Sequence, residues 1–206
     1  MKHGPLAGLW HGVATITLIL WGAVELALRL RLAVRPGWRA RLTTWSAVAG
    51  GRLREWTFLL VVLGIAADAI GAFWLSGLTR FAIGGGRALV AVGEVLALAG
   101  IALRIWAIVT LDRFFTFVVG IADDHRVVPH GPYRVLRHPG YAGALLALAG
   151  SGIALGNWLS LLLIVAVPAL ALGVRISVEE ATLVAALGAE YEAYASRTAR
   201  LIPRVW

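Results

Sequence analysis

Residues 141–174 read YAGALLALAGSGIALGNWLSLLLIVAVPALALGV, thirty-four positions without an acid or a base. One α-helical crossing of a bilayer takes about 20 apolar residues. The run is too long for one crossing and short for two. Gly156-Asn157 stands near its middle, and turn residues of this kind favour a tight reversal. The run therefore predicts a helical hairpin, Tyr141–Leu155 followed by Trp158–Val174, whose short arms do not each cross the full bilayer unaided. Gly150-Ser151-Gly152 resembles a nucleotide loop at a glance, but the spacing is wrong and no strand precedes it. Small residues that let two membrane helices approach closely are the better reading.

Working outward, Ala88–Leu111, Trp56–Leu78 and Leu6–Leu28 are three further apolar runs of span length. The chain is 60% hydrophobic over 206 residues, with mean hydropathy +0.82; soluble domains are roughly half apolar. The predicted fold is all-α: an integral membrane protein with five transmembrane helices, the last two a hairpin, and a cytoplasmic C-terminal helix over Ser177–Trp206. Leu183, Leu187 and Tyr191 recur at i, i+4 in that tail, as an amphipathic helix requires. The expected organisation is a three-span region, 1–111, and a second region, 112–206, holding a polar connector, the hairpin and the tail.

The net charge is +8, carried by eighteen arginines and one lysine. They concentrate in Arg29–Arg54, in Asp112–Pro139 and in the tail, while Thr79–Arg87 and the Gly156-Asn157 turn are poor in them. The positive-inside rule then puts the N-terminus outside and the C-terminus in the cytoplasm, and explains the basic balance without nucleic acid. The arginine bias fits a GC-rich bacterial source, hence an inner (plasma) membrane. The chain has no cysteine, which excludes disulfides, thiolate catalysis and cysteine-ligated metals. Leu6–Leu28 is longer than the core of a signal peptide and lacks a clear cleavage site, so it reads as a span.

Two polar islands flank the hairpin. The first is Gly131-Pro132-Tyr133-Arg134-Val135-Leu136-Arg137-His138-Pro139-Gly140-Tyr141; the second is Arg175-Ile176-Ser177-Val178-Glu179-Glu180. Charges beside hydrocarbon are expensive and mark function, and the orientation above brings both islands to the cytoplasmic side. Pro139 suits the first turn of a helix, with His138 near its N-cap. Free N–H groups there, with Arg134 and Arg137, attract an anionic or carboxylate-bearing ligand, and Tyr133 and Tyr141 offer flat faces and polar ends. Arg134 taken alone reads better as a headgroup anchor. Arg175 and Glu179 are four apart and share a helix face. Glu179 and Glu180 can also be read as acids favouring the start of the tail helix.

The pattern Asp124-His125-Arg126-Val127-Val128, Gly131-Pro132-Tyr133-Arg134, Arg137-His138-Pro139-x-Tyr141-x-Gly143, Arg175, Glu179-Glu180-x-x-Leu183, Gly188-x-Glu190-Tyr191-x-x-Tyr194 and Ile202-Pro203 resembles the isoprenylcysteine carboxyl methyltransferase family and its phospholipid-methyltransferase relatives. The resemblance spans roughly Leu111 to Pro203; the first three spans match only in hydropathy. It implies an integral membrane methyltransferase that uses S-adenosylmethionine on a lipophilic or lipid-modified acceptor. It further implies a cofactor pocket lined by His125, Val127, Val128, Gly131, Tyr133, Arg137, His138, Tyr141 and Glu179, and an acceptor site with Arg175 and Glu180 as the catalytic pair. Asp112 stands where relatives often carry glycine, and Gly140 replaces a commoner serine or methionine.

Methyl transfer from a sulfonium needs alignment and exclusion of water. An acceptor carboxylate needs a cation to orient it, which Arg175 can supply; an amine or thiol would need a base, for which Glu180 or His138 qualify. The alternative readings are an NADPH-dependent membrane reductase of the sterol-reductase type and a small transporter, the latter opposed by the lack of an inverted repeat. Glu25, Asp68, Glu94 and Arg104 lie within spans, and Arg104 is expected to pair with Glu25 or Asp68.

Overall fold

The computed structural model describes residues 16–17, 19–28, 70, 74–75, 78–115, 125–203 and 205–206. Five helices follow one another there: α1 (Ile19–Leu28), α2 (Gly86–Leu111), α3 (Pro139–Ala154), α4 (Trp158–Leu187) and α5 (Ala189–Ala195). Short 3-10 turns occupy Thr79–Phe81, Asp112–Phe114 and Gly131–Arg134. No strand occurs among the described residues, only isolated bridges joining Ala82 to Asn157 and Leu136 to Ala199. Most of the expected second span, with Asp68, and the Arg29–Arg54 loop lie outside the described residues.

At about 1.5 Å per residue, the 26 residues of α2 and the 30 of α4 reach roughly 39 and 45 Å, longer than the ~30 Å hydrocarbon core. Both are apolar on their outer faces: Val95 and Val109 on α2, and Leu170 and Val174 on α4, are largely exposed. In water such surfaces would drive aggregation; against lipid they cost nothing. The chain is an integral membrane protein.

The core contact is α2 against α3, antiparallel and almost without side chains. Gly93, Ala97 and Gly100 face Gly150, Ala147 and Gly143, at a spacing that repeats every seven residues on both helices. A Cβ on Gly93 would stand 2.6 Å from the Gly150 carbonyl, and one on Gly143 would stand 2.6 Å from the Gly100 carbonyl. Small residues thus let the backbones touch, where packing rather than water expulsion drives association. Gly150 serves this approach, and Gly152 lets α3 close on Leu161 and Ile164 of α4, the close helix packing the sequence indicated.

The hairpin turn falls at Gly156-Asn157. Gly156 adopts φ 64°, a left-handed conformation that glycine enters without steric cost. Asn157 is fully buried. Its Oδ1 accepts from Leu159 N (3.0 Å) and Ser160 N (3.1 Å), capping α4, and its Nδ2 donates to the carbonyls of Leu75 and Leu78. The turn is therefore locked to the strip leading into α2 as well as to its own helix.

On the other flank, Thr17 donates to Glu94 at 2.6 Å, and Arg104 pairs with Glu25 through both Nε and Nη2, the latter at 2.9 Å. Residues 17 and 25 match 94 and 104 in order, so α1 runs parallel to α2. Arg104 also donates to the Gly140 carbonyl at 3.0 Å, tying α1, α2 and the foot of α3 together.

The tail departs from expectation. Instead of a helix opening at Ser177, α4 runs unbroken from Trp158 to Leu187 and stops at Gly188, φ 53°. Glu179 and Glu180 lie inside it, so the macrodipole of a helix start does not account for them. The second hairpin arm accordingly extends past Val174 by several turns. Nothing in residues 175–187 breaks a helix; the change from apolar to polar composition marks the end of the hydrocarbon, not of the helix. Beyond Gly188 the described residues include α5 and a terminal turn in which Leu201 N and Ile202 N donate to the Trp206 carbonyl.

Candidate active site

The two islands meet at the end of the bundle opposite Asn157. Pro139 occupies the first helical position of α3, with His138 as N-cap at φ −124°. Arg175 follows Trp158 by seventeen residues, or about 26 Å along α4, which sets it near the far edge of the hydrocarbon core.

Two polar groups form there. In one, Tyr141 on α3 lies between two residues of α4: its hydroxyl accepts from Arg175 Nε and donates to Glu179 Oε2, each at 2.7 Å. The Arg175 guanidinium also lies 5.8 Å from the Tyr141 ring centre, and His138 stacks on that ring at 5.7 Å with an interplanar angle of 14°. The group therefore joins both islands through one phenol.

In the other, Glu180 collects three partners: Arg137 Nε at 2.7 Å, Arg200 Nε at 2.9 Å and His138 Nε2 at 3.3 Å. Arg137 reaches onward to the carbonyls of Ala195 (2.6 Å) and Thr198. Backbone bonds reinforce the connection, with Arg137 N to Ala199 O at 2.7 Å and His138 N to Arg200 O at 3.1 Å. Glu180 is the point at which α4, the Arg-His-Pro turn and the tail are joined. A carboxylate so surrounded is satisfied by charge-assisted bonds.

Arg175 and Glu180 are thus not partners of each other; each serves a different group, bridged by His138. One turn of α4 divides them, as the five-residue separation requires. Arg137, His138, Tyr141, Glu179 and Glu180 all converge with Arg175. The remaining candidates lie on the approach. His125 meets the Phe114 ring edge-on at 5.0 Å. Val127 N donates to Glu190 on α5 at 3.2 Å, with Val128 partly buried beside it. Gly131, at φ 59°, packs where a Cβ would stand 3.0 Å from Thr110 Oγ1. Tyr133 is buried in the following turn.

Four contributors carried no assigned role from the sequence. Arg200 completes the Glu180 group, and nothing in a lone tail arginine announces it. Glu190 holds the connector at Val127. Tyr194 donates to the carbonyls of Tyr133 (2.8 Å) and Leu136 (3.3 Å). Tyr191 is 4% exposed, and its hydroxyl has no hydrogen-bond partner among the described residues. The Tyr-x-x-Tyr spacing was the available signal. Burial pushes the phenols of Tyr133 and Tyr191 well up and that of Tyr194 up to about 12, so all three are neutral donors at physiological pH.

Asp112, where a glycine was anticipated by resemblance, closes α2 at φ 44°, in the region that favours glycine. At Gly140 an added Cβ would meet nothing nearer than Ala107 Cβ at 3.8 Å, so space does not demand glycine there.

Residues 92–185 match the family model described as the isoprenylcysteine carboxyl methyltransferase family. A protein of Oryza sativa subsp. indica named as a probable protein-S-isoprenylcysteine O-methyltransferase is 39% identical over 114 residues, which are 54% of this chain and 60% of that protein. Protein-S-isoprenylcysteine O-methyltransferase A of Arabidopsis thaliana is 34% identical over 115 residues, 55% of this chain and 58% of its own. Among solved structures, the eukaryotic intramembrane Ras methyltransferase ICMT superposes with a TM-score of 0.59 at 25% identity, over 70% of this chain and 52% of that one. The chain therefore spans about half to three-fifths of the length of these relatives.

Proposed function

We propose, from the match of residues 92–185 to the isoprenylcysteine carboxyl methyltransferase family model, that the chain is a member of that family and methylates a lipophilic, carboxylate-bearing acceptor with S-adenosylmethionine at the membrane border. The observation that carries the reading is the convergence of the Arg137-His138-Pro139 turn with Arg175, Glu179 and Glu180 at one end of α4. The O-methyl relatives favour an oxygen acceptor.

The residues present suit the cofactor. An unpartnered buried phenol at Tyr191, the stacked His138 and Tyr141 rings and the backbone of 125–131 offer the donors and flat faces that an adenosyl and an amino-acid end require. His125, Val127, Val128, Gly131, Tyr133, Arg137, His138, Tyr141 and Glu179 would hold it. When bound, S-adenosylmethionine supplies an electrophilic methyl group on a sulfonium. Arg175 would orient the acceptor carboxylate with its planar fork, held in aim by the Tyr141 hydroxyl. A carboxylate is already nucleophilic, so no proton has to move. Glu180 acts through Arg137 and His138, keeping the turn and tail in place. The cofactor would arrive from the cytoplasm, and the acceptor sideways between helices.

Calorimetric titration of the detergent-purified protein with S-adenosylmethionine tests this, with NADPH as control. Micromolar binding of S-adenosylmethionine alone is expected, together with labelled methyl transfer into the lipid fraction of membrane extracts that Arg175→Ala abolishes. Binding of NADPH instead would assign the protein to the reductases, and binding of neither would overturn the proposal.

A further inference from the structure

Beside the site, Pro129, Arg134, Tyr194, Arg197 and Thr198 line a cleft of about 370 Å³. Arg134 and Arg197 are exposed, and neither has a carboxylate partner among the described residues. The Tyr194 hydroxyl is committed to the carbonyls of Tyr133 and Leu136, and the Thr198 hydroxyl donates to the Tyr194 carbonyl at 2.8 Å. The acid one turn earlier on the same face of α5, Glu190, is taken up by Val127 N. The cleft therefore presents two guanidinium groups to an anion.

Its surroundings say where that anion resides. Residues 199–200 run alongside 135–138, through Ala199 N to Val135 O and His138 N to Arg200 O, directly before Pro139 begins the membrane arm α3. The turn that follows exposes Ile202 (54%), Val205 (76%) and Trp206 (45%), with Val135 (51%) next to Arg134. Arg200 lies 5.5 Å from the Trp206 ring centre. Exposed aliphatics and a tryptophan at the foot of a membrane helix belong at the headgroup level, and arginine pairs with phosphate through a planar fork.

We propose that this cleft and the adjoining Ile202, Val205 and Trp206 bind an anionic membrane phospholipid, with Arg134 and Arg197 on the headgroup phosphate and the three apolar side chains against its acyl chains. The site is independent of the methyl-transfer reading. An acidic protein or free phosphate would use the arginines alone and leave the apolar turn in water.

The test is native mass spectrometry of the full chain released from nanodiscs of phosphatidylcholine with phosphatidylglycerol, counting retained lipids. An arginine at an anionic surface is worth about fivefold in affinity. Arg134→Gln with Arg197→Gln should therefore lower the retained ratio of phosphatidylglycerol to phosphatidylcholine by roughly twentyfold or more. Arg80→Gln with Arg87→Gln, the same charge change at the other end of α2, should leave it unchanged. Trp206→Ser with Ile202→Ser should lower retention of both lipids. Inorganic phosphate should not shift the melting temperature. Equal loss in the Arg80/Arg87 control would reduce the effect to net charge. Wild-type retention in the Arg134/Arg197 variant, unchanged retention after removing the apolar side chains, or a thermal shift with phosphate matching that with lipid would each overturn the proposal.

Discussion

The Tyr141 hydroxyl accepts from Arg175 and donates to Glu179, each at 2.7 Å, so a single oxygen at the foot of α3 sets the position of two charged residues one turn apart on α4. Tyr141→Phe removes both bonds and keeps the ring that His138 stacks on. Misaiming an orienting cation costs alignment rather than binding. We expect kcat/KM for methyl transfer to fall about ten- to hundredfold, mostly in kcat. Steady-state kinetics against a prenylated carboxylate reads this out, and an unchanged kcat would remove Tyr141 from the positioning of Arg175.

Glu180 faces Arg137, His138 and Arg200 with its side chain 13% exposed. Glu180→Ala leaves those groups around an uncompensated gap, and removing one member of a buried charge cluster costs about 3 kcal/mol. The loss should be local first, with trypsin cutting after Arg197 and Arg200 in the variant and not in the parent. Arg175→Ala should stop methyl transfer with the melting temperature nearly unchanged. If the two variants show the same proteolysis pattern, the division of labour between the groups is wrong.

How much of this was legible depended on which interaction fixed each feature. The hairpin turn was readable because Gly156-Asn157 is a local signal, although the donation of Asn157 Nδ2 to Leu75 and Leu78 is a long-range contact that no local pattern encodes. The end of α4 was misplaced because composition changes at Arg175 while helix propensity does not; only Gly188 supplies a left-handed exit. The residues of the islands were readable as a cluster. Their separation into a Tyr141 group and a Glu180 group was not, since it depends on Arg200 folding back from the tail. Five spans remain an expectation beyond the described residues.

The α2–α3 contact predicts a sharp contrast between glycines. Gly143→Val would drive a side chain into the Gly100 carbonyl, 2.6 Å from the added Cβ, where backbone has no rotamer to escape to. Separation of the helices should cost upwards of about 3 kcal/mol and shorten the lifetime of the protein in detergent. Gly140→Ala, three residues away with 3.8 Å of clearance, should be tolerated within about 1 kcal/mol. Thermal melts of the two variants side by side make the comparison; equal losses would mean that general helix effects, not backbone contact, set the cost.

Arg104 and Glu25 are 13% and 15% exposed in their side chains, within the span and bonded in two places, with Trp21 Nε1 adding 3.3 Å to the Glu25 carboxylate. Arg104 also holds the Gly140 carbonyl, next to Tyr141, so the pair supports the site as well as the fold. Arg104→Ala removes the guanidinium that Glu25 holds in two places within a medium of low dielectric, at a cost of about 3–5 kcal/mol. Glu25→Gln should cost less, because an amide can still accept from the guanidinium. The double variant Glu25→Gln/Arg104→Ala should be more stable than Arg104→Ala alone, since the charge that Arg104 neutralises is then absent. Melting temperatures of the four proteins form the cycle, measured with and without S-adenosylmethionine. Coupling of the same size in both conditions assigns the pair to the fold itself, and purely additive losses would show that the two residues do not act together.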